Sequence, residues 1–169
     1  MGGVVYYVAT SLDGFISGPN HEIDWLFDDD DYGYTEFLAS VDVLVMGRAT
    51  YDVCLGFDPW PYPEHDVYVV THRPVEPRPR VTAFSGDPNL LLDRLAARSV
   101  WLVGGGDLAG QVRRAHRIDR YVISVHPVWL GRGIPLFPPD LPREELVFEG
   151  STSWRSGLCQ LRYRRAQPA

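Results

Sequence analysis

Three consecutive glycines, Gly104, Gly105 and Gly106, stand between an apolar run and an amphipathic stretch. Residues 100–103 read as a buried strand, and Leu108, Val112 and Ala115 fall on one face of a following helix. A strand that passes through glycines into a helix leaves backbone N–H groups unpaired at the helix N-terminus. Those groups and the helix dipole favour an anion, and the missing Cβ atoms let a phosphate approach the main chain. The plainer alternative is a tight strand-to-helix turn that holds no ligand.

Gly47-Arg48-Ala49-Thr50 repeats the pattern. An apolar strand over 41–46 ends there, and 48–55 reads as a short helix. Arg73 lies in Thr71-His72-Arg73-Pro74, directly after another strand at 67–70. Two arginines and two helix N-termini suit a ligand with a pyrophosphate and a further monophosphate, and NADPH carries both. A surface ion pair is the alternative for Arg48. Gly104, Gly106 and Ala109 also satisfy G-x-G-x-x-A, but the Rossmann fingerprint wants an acid about 20 residues on. The strand at 121–125 ends in Val125-His126-Pro127 instead, so that reading fails.

These sites need a scaffold that brings several strand ends together. Apolar or β-branched runs predict strands at 4–9, 41–46, 67–70, 81–84, 100–103 and 121–125. A terminal antiparallel pair is expected at 146–151 and 158–163, around Ser156-Gly157. Helices are expected at 34–39, at 48–55, after Asp87-Pro88, and after the glycines. Asp87 is a good N-cap with Pro88 in the first helical position. Loops are expected at 10–20, 58–64 and 126–142, and the acids at 28–31 read as a solvated loop or a helix start.

Strands alternating with helices predict an α/β fold: a mostly parallel sheet flanked by helices and finished by antiparallel strands. Ligands of such sheets sit at the carboxyl ends of the strands. Ala9, Met46, Val70 and Val103 should end strands at one edge, bringing Thr10, Gly47, Thr71 and Gly104 to a common cleft.

The 169 residues suggest a single domain over 1–169, with 45% hydrophobic residues to build its core. The net charge of −6 argues against nucleic acid and acidic membranes as partners. All 16 basic residues are arginine, which excludes a lysine Schiff base or a P-loop lysine. Cys54 and Cys159 make neither a disulfide framework nor a zinc spacing, and the five histidines are scattered, so no metal is expected. The chain opens on a strand pattern without a signal peptide or a long apolar run, so a cytoplasmic protein is expected.

Val-Met-Gly-Arg-Ala-Thr-Tyr-Asp (45–52), Val-Thr-His-Arg-Pro (70–74) and Leu-Val-Gly-Gly-Gly-Asp-Leu (102–108) resemble the NADPH-binding motifs of dihydrofolate-reductase-like proteins. Ala-Thr-Ser-Leu-Asp-Gly-Phe-Ile (9–16) and Pro-Val-Trp-Leu-Gly-Arg-Gly-Ile-Pro-Leu-Phe (127–137) are similar to one branch. That branch holds the reductase domain of bifunctional riboflavin-biosynthesis enzymes and many small single-domain relatives. The resemblance implies the three-layer dihydrofolate-reductase-like fold, with a mostly parallel eight-stranded sheet, and commonly a homodimer. It places Gly104, Gly105 and Gly106 on the pyrophosphate, with Asp107 and Leu108 at the helix start. It gives Gly47, Arg48 and Thr50 to phosphates, and Thr71, His72 and Arg73 to the adenosine ribose and its 2′-phosphate. Ala9 and Ile16 would line the nicotinamide.

Such a site transfers a hydride to an electron-poor carbon of a small heterocycle, and the protein handles a proton. Asp13 is the candidate for that proton, with a turn-forming role as its alternative. Trp25 could stack a flat ring and Asp24 could bond ring nitrogens, although a core tryptophan explains Trp25 equally well. The expected function is NADPH-dependent reduction of a pteridine-like or ribosylaminopyrimidine-like molecule. The alternatives are a non-catalytic nucleotide-binding module and a dihydrofolate reductase proper. No H-x-E with P-C-x-x-C is present, so the deaminase partner activity is not expected. Trp129, Leu146, Phe148 and Trp154 mark the region after residue 120 as the expected dimer contact.

Overall fold

Buried β-strands need residues that are apolar on both faces, and the runs at 43–46 and 100–102 supply them. The computed structural model describes residues 2–166. Its strands are β1 (Gly3–Thr10), β2 (Phe15–Ser17), β3 (Val43–Gly47), β4 (Asp66–Val70), β5 (Val81–Phe84), β6 (Ser99–Gly104), β7 (Arg120–Val125), β8 (Ile134–Pro135), β9 (Leu146–Ser153) and β10 (Cys159–Arg165). The helices are α1 (Tyr34–Ala39), α2 (Arg48–Cys54), α3 (Pro88–Arg94) and α4 (Gly106–Arg114).

One eight-stranded sheet runs in the order β5-β4-β3-β6-β1-β7-β10-β9. Its pairs from β5 to β7 are all parallel, and β10 pairs antiparallel with both β7 and β9. The expected α/β architecture with antiparallel C-terminal strands is therefore present. The predicted strand at 41–46 is displaced, since β3 spans Val43–Gly47.

Side chains alternate across the sheet. Val43, Val45, Val100 and Leu102 pack with α3 and α4 through Leu91, Leu92, Leu108 and Val112. Leu44, Met46 and Trp101 face the other way, against α2 and the aromatic residues of α1. Asp87 accepts the N–H of Asn89 at 2.9 Å and caps α3 as expected, with Pro88 in its first turn.

The segment at 10–20 and the proline-rich stretch at 126–142 were expected as loops, but each holds a short strand. β2 and β8 pair antiparallel with each other. The Leu136 N–H donates to the Gly14 carbonyl at 2.9 Å, and the Leu12 N–H donates to the Val128 carbonyl at 2.9 Å. This clamp crosses the glycine end of β6 and closes one side of the cleft. Among the described residues, no helix is long and apolar enough to cross a membrane, and no group of three acids, histidines or cysteines could hold a metal ion.

Candidate functional site

Parallel strands deliver their carboxyl ends to one edge, and a cavity of about 870 Å³ opens there. A volume of this size accommodates a cofactor or drug-sized ligand. Gly47 and Gly104 are adjacent: a Cβ on Gly47 would lie 3.7 Å from the Gly104 carbonyl oxygen. Ala9, Ile16, Gly47, Arg48 and Thr50 line the cavity, as do Gly105, Gly106, Asp107 and Leu108. The first turn of α4 therefore faces a ligand-sized space.

The glycines divide the work differently from the sequence reading. Gly104 has φ +118°, a conformation that suits glycine, and is joined to Gly105 by a cis peptide. Gly105 has φ −73°, which any residue adopts. A Cβ there would project between Thr50 Oγ1 (3.6 Å) and Ile16 Cδ1 (3.8 Å), inside the cleft. Gly106, expected on a phosphate, lines the cavity with its backbone, and its missing side chain serves packing. A Cβ there would lie 2.5 Å from the Pro135 carbonyl oxygen of β8. Only Gly105 therefore keeps cleft space open by lacking a side chain.

Arg48 combines both readings, since it lines the cavity and also pairs with Asp52. Its Nε lies 2.7 Å from Asp52 Oδ1, and its Nη1 donates to the Pro74 carbonyl at 2.7 Å. Arg73 approaches the same carboxylate, with Nη2 3.9 Å from Asp52 Oδ2. Thr71, His72 and Arg73 do not line the cavity itself; they sit beside it at the end of β4. The Thr71 hydroxyl accepts from the Arg73 N–H at 3.1 Å, and His72 Nδ1 lies 2.8 Å from Ser85 Oγ.

Asp13 lies away from the cavity lining and acts as a loop anchor. It accepts from Ser11 Oγ at 2.6 Å, from the Leu130 N–H at 3.1 Å and from the Gly131 N–H at 2.7 Å. The Ser11 hydroxyl, with the two backbone donors, holds its carboxyl below the ordinary range. A carboxylate so committed ties the 130–131 turn down, in keeping with the turn-forming alternative. Trp25 and Asp24 also fall outside the lining. The Trp25 indole N–H donates to the Glu22 carbonyl at 3.2 Å, and its ring stands perpendicular to His126 at 5.3 Å. Trp25 thus packs His126 in place.

The ring surfaces facing the cavity include those of Phe27, Tyr32, Tyr34, Phe57, Tyr62 and Trp101. Burial raises the Tyr62 phenol well above its ordinary range and pushes the neighbouring Cys54 thiol up to about 11. Both stay protonated at neutral pH.

His126, whose side chain the sequence reading left unused, is a titratable group in the same wall. It is 3% exposed, and its backbone N–H donates to the Thr10 carbonyl at 2.8 Å. Its Nδ1 lies 3.3 Å from the Ser124 carbonyl oxygen. That contact assigns the proton of the neutral ring to Nδ1. Burial holds its pKa below the ordinary 6.5. The folded chain thus resists protonation more than the unfolded chain. This contribution to stability is complete above pH about 6.5 and is lost as pH falls through the lowered folded value. Thermal unfolding across that window should show a loss of Tm that is smaller in His126→Gln than in the native chain. Identical pH profiles would remove His126 as a buried neutral group.

The sequence matches the model of the RibD C-terminal domain over residues 3–160. It is 32% identical over 170 residues to the uncharacterized protein YwjB of Bacillus subtilis (strain 168), covering 96% of this chain and 97% of that protein. A crystal structure from Shewanella sp. PV-4, provisionally assigned to riboflavin biosynthesis, superposes with a TM-score of 0.86 at 30% identity, over 99% of this chain and 100% of that one. The diaminohydroxyphosphoribosylaminopyrimidine deaminase/5-amino-6-(5-phosphoribosylamino)uracil reductase of Thermotoga maritima superposes with a TM-score of 0.75 at 15% identity, over 98% of this chain and 57% of that one. That last likeness is one of fold. The match over nearly the whole length, on a sheet whose strand ends build one cleft, shows that the chain belongs to the RibD C-terminal domain family.

Proposed function

We propose that the chain is a single NADPH-dependent reductase domain acting on a flat heterocycle of the pteridine or ribosylaminopyrimidine kind. The observation that carries this reading is Gly105. Its missing side chain keeps a cradle open between Thr50 and Ile16, directly before the N–H groups of α4. The residues around that cradle fit a dinucleotide. The N–H groups of Gly106, Asp107 and Leu108 would hold the pyrophosphate, and the Thr50 hydroxyl would donate beside them. Arg48 and Arg73 would meet the 2′-phosphate, with Thr71 and His72 near the ribose. Ala9 and Ile16 would flank the nicotinamide, which when bound supplies a hydride. The aromatic walls would exclude water and lay a flat ring in the cavity, beside His126 in the wall. Absorbance at 340 nm, followed over a panel of oxidised heterocycles, should fall with at least one of them. NADPH binding without any such loss would favour a non-catalytic nucleotide-binding module.

The edge strand β9 supports a homodimer. Leu146, Val147 and Phe148 are exposed there, and Trp129 is exposed nearby in sequence. Trp154 is not part of this apolar surface, because it packs edge-on against Tyr32 at 5.2 Å. Light scattering should give twice the chain mass at micromolar concentration, and Phe148→Glu should give the single mass. A native chain that scatters as one copy would count against the dimer.

A further inference from the structure

β7 sets one buried hydroxyl into the cavity wall, that of Ser124, which is 6% exposed. Across the sheet it stands beside Ala9 of β1 and Gln160 of β10. Gln160 is buried behind Ser124 and does not line the cavity, and its Nε2 donates to Ser124 Oγ at 3.2 Å. The other end of the amide meets Arg162. The Arg162 Nη1 donates to Gln160 Oε1 at 3.3 Å and to Thr152 Oγ1 at 2.9 Å. A guanidinium can only donate, so Oε1 must face Arg162 and Nε2 must face Ser124. Turning the amide over would set donor against donor at Arg162.

A hydroxyl has one proton and two lone pairs. Gln160 occupies a lone pair of Ser124, so the proton has to turn elsewhere. Thr10 and Ser17 spend theirs on the Ser11 and Gly18 carbonyls, at 2.7 and 3.1 Å. Among the described hydrogen bonds, the Ser124 O–H donates in none. A buried donor of this kind calls for an acceptor from a ligand.

Strand order says which ligand. Gly47 lies on β3, Gly104 ends β6, and Ala9 lies on β1, the next strand along. The cofactor residues therefore occupy the strands from β3 to β1. Ser124 lies one strand further, on β7, where His126 also lines the wall.

Resting on the reading as an NADPH-dependent reductase, we propose that Ser124 anchors the reacting heterocycle by donating to a ring carbonyl oxygen. Gln160, locked by Arg162, is the positioning residue that keeps this hydroxyl a donor. The substrate is thus an oxo-heterocycle. A ring with an amino group in place of that oxygen is rejected. It either meets the O–H head-on or forces it to turn and leave its proton unpaired.

A matched pair of probes tests this: 2-amino-4-oxopteridine and 2,4-diaminopteridine. Each is titrated calorimetrically at neutral pH into the full chain saturated with NADP⁺, where no turnover occurs. The oxo probe should bind about tenfold tighter. Gln160→Glu replaces the donor with an acceptor that still pairs with Arg162 and takes the Ser124 proton. That variant should lose the preference or reverse it, which a merely structural role for Gln160 would not do. Ser124→Ala should weaken the oxo probe several-fold and leave the diamino probe and NADP⁺ unchanged. NADP⁺ affinity, read on each variant, shows that the fold is intact, and Ser124→Ala decides alone if Gln160→Glu does not fold. Equal or tighter binding of the diamino probe by the native chain would overturn the inference. So would binding of neither probe, or a folded Gln160→Glu that keeps the native preference. A Ser124→Ala chain that loses NADP⁺ would assign the hydroxyl to the cofactor and overturn it as well. Failure of NADP⁺ to bind the native chain would instead remove the reductase reading, and the inference with it.

Discussion

Gly105→Val is expected to weaken NADPH and NADH together by about 100-fold or more and to leave the fold intact. The backbone at Gly105 has φ −73°, so a side chain adds no conformational strain. Its Cβ would meet Thr50 and Ile16 at ordinary contact distances, 3.6 and 3.8 Å. The added methyl groups would fill the cradle that a pyrophosphate must enter, and overfilling a packed contact costs about 1–3 kcal/mol before any lost hydrogen bond. Since about 1.4 kcal/mol is tenfold in binding, the combined effect reaches the stated range. Gly106→Ala should behave in the opposite manner. Its Cβ would sit 2.5 Å from the Pro135 carbonyl oxygen, so β8 must move, and stability should drop by about 1–3 kcal/mol. Denaturant unfolding and cofactor titration on both variants separate the two roles. A destabilised Gly105→Val, or a normal Gly106→Ala, would contradict this division.

NADPH is expected to bind about 10- to 100-fold tighter than NADH. The two differ by the 2′-phosphate, and each charge-assisted bond to it contributes about 1.5–3 kcal/mol. Arg48 and Arg73 are brought together by Asp52, at 2.7 and 3.9 Å, so a phosphate there can meet both. The Arg73 side chain is 69% exposed, and solvent screening puts its share at the lower end. Arg73→Ala should therefore cost about tenfold in NADPH affinity and leave NADH nearly unchanged. Asp52 competes with the phosphate for the same guanidinium groups. Asp52→Asn should tighten NADPH without altering NADH, and added salt should narrow the preference. Equal affinities for the two cofactors in the native chain would remove this assignment.

Much of this architecture was legible because buried parallel strands are nearly continuous apolar runs. The runs at 100–103 and 67–70 declare themselves without knowledge of their neighbours. β2 and β8 carry no such signal: Phe15–Ser17 and Ile134–Pro135 are too short for a period, and they exist because they pair with each other. The convergence of Gly47 and Gly104 followed from topology alone. What distinguishes Gly105 from Gly106 did not, since it depends on where the Pro135 carbonyl lies, far along the chain. The anchoring contacts of Asp13 were hidden for the same reason. Ser11 is a local partner, but Leu130 and Gly131 are more than a hundred residues away. His126 passed unused because a lone histidine after a strand has no local signature. Its burial comes from Trp25 and Phe27, brought over it by a loop.

Calorimetric titration of NADPH into the native chain tests the central claim most directly. The cavity at the strand ends should give a saturable heat with one equivalent per chain, weaker with NADH and lost in Gly105→Val. No saturable heat with NADPH, or an unchanged isotherm in Gly105→Val, would contradict the assignment of this cleft to a nicotinamide dinucleotide.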